Sequence, residues 1–149
     1  RDEIARYGTG ADRFGLIHGD LHAGNLMLTA EGLVVIDFDD CGYAWYMWDL
    51  ACALSPYEFV PETPDLVRDW VLGYTSVAPL TADDISVIPA FVLMRRIQML
   101  AWMQAREGTD VAGLMGIDYV PASVRMARAY LDGTLLTREQ IMPGVAALP

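Results

Sequence analysis

Three oxygen-bearing side chains in the front third of the chain have the types and spacing of a phosphate-transfer site. In His18-Gly19-Asp20-Leu21-His22-Ala23-Gly24-Asn25 an acid is followed five positions later by an amide, and Ile36-Asp37-Phe38-Asp39-Asp40 supplies a second acid after two apolar runs. Phosphoryl transfer passes through a loose transition state and asks a protein mainly for positioning and charge compensation. Asp20 can take a proton from an attacking hydroxyl, provided that the proton leaves late, as the oxygen bonds to phosphorus. Asn25 offers a neutral oxygen and Asp37 a charged one, hard ligands that suit magnesium on nucleotide phosphates. Singly, Asp20 reads as a turn cap, Asn25 as a turn residue and Asp37 as a strand-end cap. Their order across one ribbon carries the reading.

That ribbon is legible in the pattern. Leu26-Met27-Leu28 and Leu33-Val34-Val35-Ile36 flank Thr29-Ala30-Glu31-Gly32, a strand, Gly-containing four-residue turn and strand. The hairpin begins directly after Asn25 and ends at Asp37, so pairing its strands brings the two ligands to one end, with Asp20 on the loop that feeds it. Phe14-Gly15-Leu16-Ile17 is a short apolar lead into the loop. The remainder reads as helices. Arg1 to Tyr7 resembles a helix end released at Gly8-Thr9-Gly10, and Tyr46 to Leu54 is a short helix stopped by Ser55-Pro56. Thr63-Pro64-Asp65 is a helix start with a hydroxyl cap, placing Leu66, Trp70 and Tyr74 on one face with Val67 and Val71 alongside. Thr81 and Asp84 form a capping-box pattern, Pro89 resets or kinks the helix they open, and Gly108 ends the stretch from Ala90 to Arg106. A last helix from about Pro121 to Leu131 carries Val124, Ala127 and Leu131 on one face, with Gly133 at its C-cap. The expected fold is α+β and mainly helical, one small hairpin wrapped by four or five helices.

The chain's 149 residues suit one domain with a core that needs no disulfide or metal staple. The apolar fraction of 54% and mean hydropathy of +0.27 are high, consistent with buried helices or with a face that covers another domain. The longest apolar stretch, around residues 85–103, is interrupted by Pro89, Arg95, Arg96 and Gln98, so no membrane span is expected. With 10 Lys+Arg against 20 Asp+Glu the net charge is −10 and no basic stripe is visible, which argues against nucleic acid as a partner. Cys41 and Cys52 have no zinc or redox spacing, and no signal peptide is visible, so a reducing cytoplasm is the expected location.

HGDLHAGN followed by VVIDFDD resembles the catalytic and metal loops of the aminoglycoside phosphotransferase and choline kinase family, distant relatives of protein kinases. His18, Asp20, Asn25 and Asp37 occupy that family's motif positions, and Trp48-Asp49-Leu50-Ala51 is similar to its following helix, whose acid is usually structural. The resemblance is specific for about Leu16 to Leu54. It implies a protein-kinase-like C-terminal catalytic lobe that transfers the γ-phosphate of ATP, with magnesium, to a hydroxyl on a small molecule. Where protein kinases have glycine two positions after the metal-binding acid, this chain has Asp39. Asp39 and Asp40 either assist a second metal, face the substrate, or cap the next segment. The family's smaller lobe supplies a phosphate-covering loop, a strand lysine and a helix glutamate, for which the residues ahead of His18 leave no room. Residues 1–149 are therefore expected to be the catalytic lobe, with the N-terminal lobe as its missing partner and negligible activity alone.

Two other functional classes compete. His18-x-Asp20-x-His22 alternates three possible ligands, as a metal-dependent hydrolase would, although no further His completes a set. A non-catalytic kinase-like binding scaffold is the other. Tyr43, Trp45, Tyr46 and Trp48 either cage a quaternary ammonium or fill the core, the core being the usual place for aromatics heading an apolar helix. Arg95 and Arg96 need partners if buried, an acid such as Asp49 or a substrate. Met94, Met99 and Met103 read as gap-filling core.

Overall fold

The computed structural model describes residues 2–106 and 118–144. Helix α1 (Asp2–Tyr7) leads into β1 (Phe14–Ile17), a single 3-10 turn at Ala23–Asn25, β2 (Leu26–Thr29), β3 (Gly32–Val35) and β4 (Gly42–Trp45). Four further helices follow: α2 (Tyr46–Leu54), α3 (Thr63–Thr75), α4 (Ala82–Ala105) and α5 (Tyr119–Leu131), with a short α6 (Arg138–Ile141) after them. The helical fold with a small hairpin is the expected one. The hairpin is tighter than its sequence suggests, because Thr29 pairs with Gly32 and leaves only Ala30 and Glu31 in the loop. Gly32 adopts φ +131°, which a side chain would oppose, and the Thr29 hydroxyl bonds the turn from within.

A second ribbon was not legible. Phe14 to Ile17 pairs antiparallel with Gly42 to Trp45, Phe14 opposite Trp45. This closes the chain around both loops of the candidate site, so the apolar lead into His18 is a strand whose partner lies beyond Asp37 to Asp40. Trp45 packs its ring on Phe14 and Phe91 and donates from Nε1 to the Gly8 carbonyl at 2.6 Å.

The core lies between α2, α3 and α4, where Met47, Leu50, Val67, Val71, Ile88 and Phe91 are fully buried. Each such side chain contributes about 1.5–3 kcal/mol over exposure. In α3 the buried face centres on Val67 and Val71. Leu66 is exposed, while Trp70 and Tyr74 stack at its margin. Thr63 does not cap α3; its hydroxyl turns back to the carbonyls of Tyr57 and Val60. The capping box at Thr81 and Asp84 forms as expected, and Asp84 also accepts from the Tyr7 hydroxyl, tying α1 to α4. Asp84→Ala removes both contacts and is expected to cost about 1–2 kcal/mol in urea unfolding.

Helix α4 runs through Pro89 unbroken. An interior proline costs a helix about 3 kcal/mol, offset here by burial of Ile85, Ile88, Phe91 and Val92 around it. Its 24 residues are long and apolar enough to cross a membrane by composition, yet it packs against α1, α2 and α5 and carries the ion-paired Arg95 and Arg96, as a core helix does. Arg106 caps it, so the stop predicted at Gly108 lies outside the described residues. In α5 the expected face is rotated. Leu131 is 80% exposed and Val124 is also exposed, whereas Tyr119, Ala122, Ser123 and Met126 are buried. The rotation follows from Arg96, which bonds the Ser123 hydroxyl and the Tyr119 carbonyl. Gly133 takes the left-handed conformation that ends α5, as predicted.

Candidate active site

The loop bearing Asp20 is held from below by one face of α2. The Asp49 carboxylate accepts the backbone N–H groups of His18 and Gly19, each at 2.9 Å. The Gly19 carbonyl receives the Trp48 indole N–H at 3.0 Å and the Cys52 thiol at 3.2 Å. Burial pushes the Cys52 thiol up to about 12, so it remains a neutral donor. Residue 19 must be glycine, since it adopts φ +85° and a Cβ there would lie 2.3 Å from the Asp40 carbonyl oxygen. That close approach also presses the loop bearing Asp20 against the loop of Asp37 to Asp40.

Beyond Gly19 the chain folds onto itself. The Asp20 carbonyl accepts the His22 N–H at 2.9 Å and the Asn25 side-chain amide at 3.0 Å. His22 Nδ1 accepts from Gly24 N–H at 3.0 Å and so caps the 3-10 turn that delivers Asn25. Asn25 is buried, and its carbonyl accepts the Ile36 N–H at 3.0 Å across the ribbon. His18 joins the same point: its Nε2 lies 2.9 Å from the Ile36 carbonyl, its Nδ1 accepts from Asp20 N–H, and its ring packs on Phe38. Asp37 follows directly, at φ +65° with an exposed side chain. A non-glycine residue in that region stores strain and persists only where its surroundings impose it. The structure thus ties Asp20, Asn25 and the start of the metal loop into one backbone network.

The Asp20 carboxylate has two partners. Arg95 Nη2 reaches Oδ1 at 2.5 Å, and His22 Nε2 lies 3.3 Å from Oδ2. Arg95 is itself fixed by the Ser55 hydroxyl at 3.1 Å and Gln98 Oε1 at 2.7 Å, with its guanidinium over the Trp48 ring. An acid such as Asp49 or a substrate was the partner the sequence allowed for Arg95 and Arg96. Asp49 is committed to the loop backbone, and the pair forms with Asp20 instead. The neighbouring Arg96 is buried against Glu58, donates to Ser123 Oγ at 2.8 Å and to the Tyr119 carbonyl at 3.1 Å, and stacks on the Tyr119 ring. Burial pushes the Glu58 carboxyl up from 4.5 to about 7, against the pull of Arg96. Both acids line one cleft of about 970 Å³, which also takes in Asp40, Trp102 and Tyr119.

Neither Arg95 nor Glu58 was singled out as a site residue. Two adjacent arginines in an apolar helix were the available signal, but which acids they meet depends on how α4 crosses the catalytic loop. The hydrolase set does not assemble. His18 commits Nε2 to the Ile36 carbonyl and Nδ1 to the Asp20 N–H, so neither nitrogen is left for a metal. Among the described residues no three His, Cys, Asp or Glu side chains converge on a metal position. The aromatic cluster does not form a cage either: Trp45 is packed in the core, Trp48 and Tyr46 bond backbone carbonyls, and Tyr43 is 77% exposed. Asp39 and Asp40 are exposed, Asp40 at the cleft edge. The donor chemistry fits magnesium: the Asn25 amide nitrogen is committed to the Asp20 carbonyl, so Oδ1 is the atom it could offer, and the exposed Asp37 carboxylate could offer a second oxygen.

Comparison with known proteins leads to the same stretch. A model of the phosphotransferase enzyme family matches residues 2–83, more than half of the chain. The amicoumacin kinase of Bacillus subtilis (strain 168) is 28% identical over 105 residues, covering 64% of this chain and 31% of that protein. Among solved structures, a microcompartment-associated aminopropanol kinase superposes with a TM-score of 0.82 at 39% identity, over 91% of this chain and 44% of the other. An amicoumacin kinase solved in complex with AMP-PNP, Ca2+ and Ami shares the fold, with a TM-score of 0.66 at 23% identity, over 92% of this chain and 44% of the other. The chain therefore spans about a third of that curated relative and under half of the solved chains. The matched segment holds the Asp20 loop, the Asn25 turn and the ribbon leading to Asp37, and the chain, with its helical kinase-like fold, belongs to the phosphotransferase enzyme family.

Proposed function

We propose that the protein carrying this chain moves the γ-phosphate of ATP to a hydroxyl group of a small molecule, and that residues 1–149 form the helical catalytic lobe of a two-lobe kinase. The observation that carries the reading is the network joining the Asp20 carbonyl, the Asn25 side chain and backbone, and Ile36. Asp20 takes the acceptor proton on Oδ2, which carries only the long His22 contact at 3.3 Å, while Arg95 on Oδ1 holds the carboxylate in place. Asn25 and Asp37 hold magnesium, which when bound neutralises charge gathering on the phosphate oxygens. Asp49, Trp48 and Cys52 keep the loop in register with the ribbon.

The partner lobe is supported by what the ribbons leave uncovered. Leu16, Leu28, Leu33, Phe38 and Tyr43 are all more than half exposed, a concentration of apolar surface beside the site that a folded neighbour would bury. All ten basic residues are arginine, so the phosphate-gripping strand lysine of such kinases belongs to that neighbour. ATP as co-substrate supports a cytoplasmic location.

The test uses the full-length protein and residues 1–149 in parallel. The full-length protein is expected to consume ATP with a hydroxyl acceptor and residues 1–149 alone to show negligible turnover. Asp37→Ala is expected to abolish magnesium-dependent nucleotide binding, followed by fluorescence of a labelled ATP analogue. Undiminished binding in that variant, or turnover by residues 1–149 comparable with the intact enzyme, would defeat the assignment.

A further inference from the structure

We propose a second ligand site, for a bulky alkylated ammonium, in a cavity behind the loop that bears Asp20. The cavity has a volume of about 560 Å³, and Leu21, Tyr46, Asp49, Trp70, Gly73 and Tyr74 form much of its wall. It shares no lining residue with the Asp20 cleft. Size and lining are those of a small-molecule site, concave and mostly apolar or aromatic with a single placed charge. Gly73 keeps it open. It sits inside α3 with ordinary helical backbone, where glycine is the poorest helix former after proline. A Cβ at this position would meet no atom within 4 Å, so neither a turn nor a close neighbour in the fold requires the glycine. The missing side chain leaves space against the helix backbone for a ligand.

The charge of that ligand follows from Asp49. Both of its oxygens accept backbone N–H groups, from His18 and Gly19, which satisfies their hydrogen bonding but brings no full positive charge. Among the described residues the ion-paired acids are Asp12, Asp20, Glu58, Asp65 and Asp69, so Asp49 has no counter-ion. No Lys, Arg or His lines the cavity. Its shape follows from the rings. Trp70 and Tyr74 stack at 4.9 Å with an interplanar angle of 22°, which leaves each ring one face free of the other. Tyr46 is fixed by its hydroxyl, which donates to the Ala11 carbonyl at 3.1 Å. Aromatic faces attract cations through their quadrupole, and the attraction grows when the cation is desolvated. A primary amine or a metal ion asks for lone pairs, and those of Asp49 already serve two N–H groups. An alkylated ammonium asks only for charge and contact, which the carboxylate and the rings supply. Such a ligand rests on Leu21 and on the acid that holds His18 and Gly19, the support of the Asp20 loop.

The experiment is calorimetric binding of two compounds to the full-length protein: benzyltrimethylammonium, and N,N-dimethylbenzamide as a neutral ring of similar size. The cation is expected to bind about 5- to 30-fold more tightly than the amide, the range of a partly desolvated cation–aromatic contact. Gly73→Leu, which fills the cavity from α3, should abolish binding of the cation. Leucine is a far better helix former than glycine, so the thermal midpoint of this variant should hold or rise, which separates lost binding from lost folding. Trp70→Leu should reduce the preference for the cation to about threefold or less. Equal binding of the two compounds would overturn the site. So would binding undiminished in Gly73→Leu, the result expected of a cation held in the Asp20 cleft instead. No binding of the cation at all, the result expected if another segment of the full-length protein fills the cavity, would overturn it as well. The measurement reads binding directly, so its outcome stands apart from that of the phosphotransferase assay.

Discussion

Asp20→Asn in the full-length protein is expected to lower kcat by about 10²- to 10⁴-fold, the usual contribution of a positioned general base. The amide cannot accept the acceptor's proton, but it has nearly the same shape and its Oδ1 can still receive Arg95 Nη2. His22 loses its partner, because its Nδ1 is committed to the Gly24 N–H and its Nε2 proton would meet an amide nitrogen. That is one weak contact at 3.3 Å, too little to displace a loop held by Asp49, Trp48 and Cys52. Nucleotide binding and the thermal midpoint should therefore stay close to wild type while turnover falls. Steady-state kinetics at saturating ATP, with nucleotide binding as the control, check this. A kcat within about threefold of wild type would remove Asp20 from the chemistry.

The second large effect falls on stability and depends on pH. Arg96→Met is expected to destabilise the fold by about 3–5 kcal/mol at pH 8, the cost of leaving a buried charge without its partner. The arginine is 4% exposed and holds three partners at once, so its loss also frees the start of α5. The penalty should shrink at pH 5. Burial raises Glu58 from 4.5 to about 7 even with Arg96 present, and without Arg96 the carboxyl rises further, so at low pH it is neutral and nothing buried is left charged. In the wild type the folded state holds the Glu58 proton more tightly than the unfolded chain does. The stabilisation this provides is complete below 4.5 and is lost as pH rises through about 7. Urea unfolding of wild type, Arg96→Met and Glu58→Gln at both pH values checks the sign, since Glu58→Gln should remove the dependence in that window. An Arg96→Met penalty as large at pH 5 as at pH 8 would refute the account.

The stretch that places the chain in its family was readable without coordinates because its signal is local. Asp20, Asn25 and Asp37 lie in two short stretches joined by a hairpin whose alternation and Gly32 turn declare it, and α2 and the Thr81 cap announce themselves within a few positions. The structural role of Asp49 was implied by the family resemblance of the helix that carries it, and its bonds to the His18 and Gly19 N–H groups agree with it. What the chain could not disclose in one dimension were pairings between distant segments. The β1–β4 ribbon joins residues about thirty apart in sequence, and nothing in four apolar residues names their partner. The face of α5 was misphased because several rotations bury a similar amount of apolar surface. Only the packing of α4, with Arg96 fastening Tyr119 and Ser123, selects one. The partners of Arg95 and Arg96, and with them the support of the candidate base, arise from that same crossing. Local pattern thus determined the candidate chemistry, and helix packing decided which charges surround it, because those contacts depend on how distant segments cross.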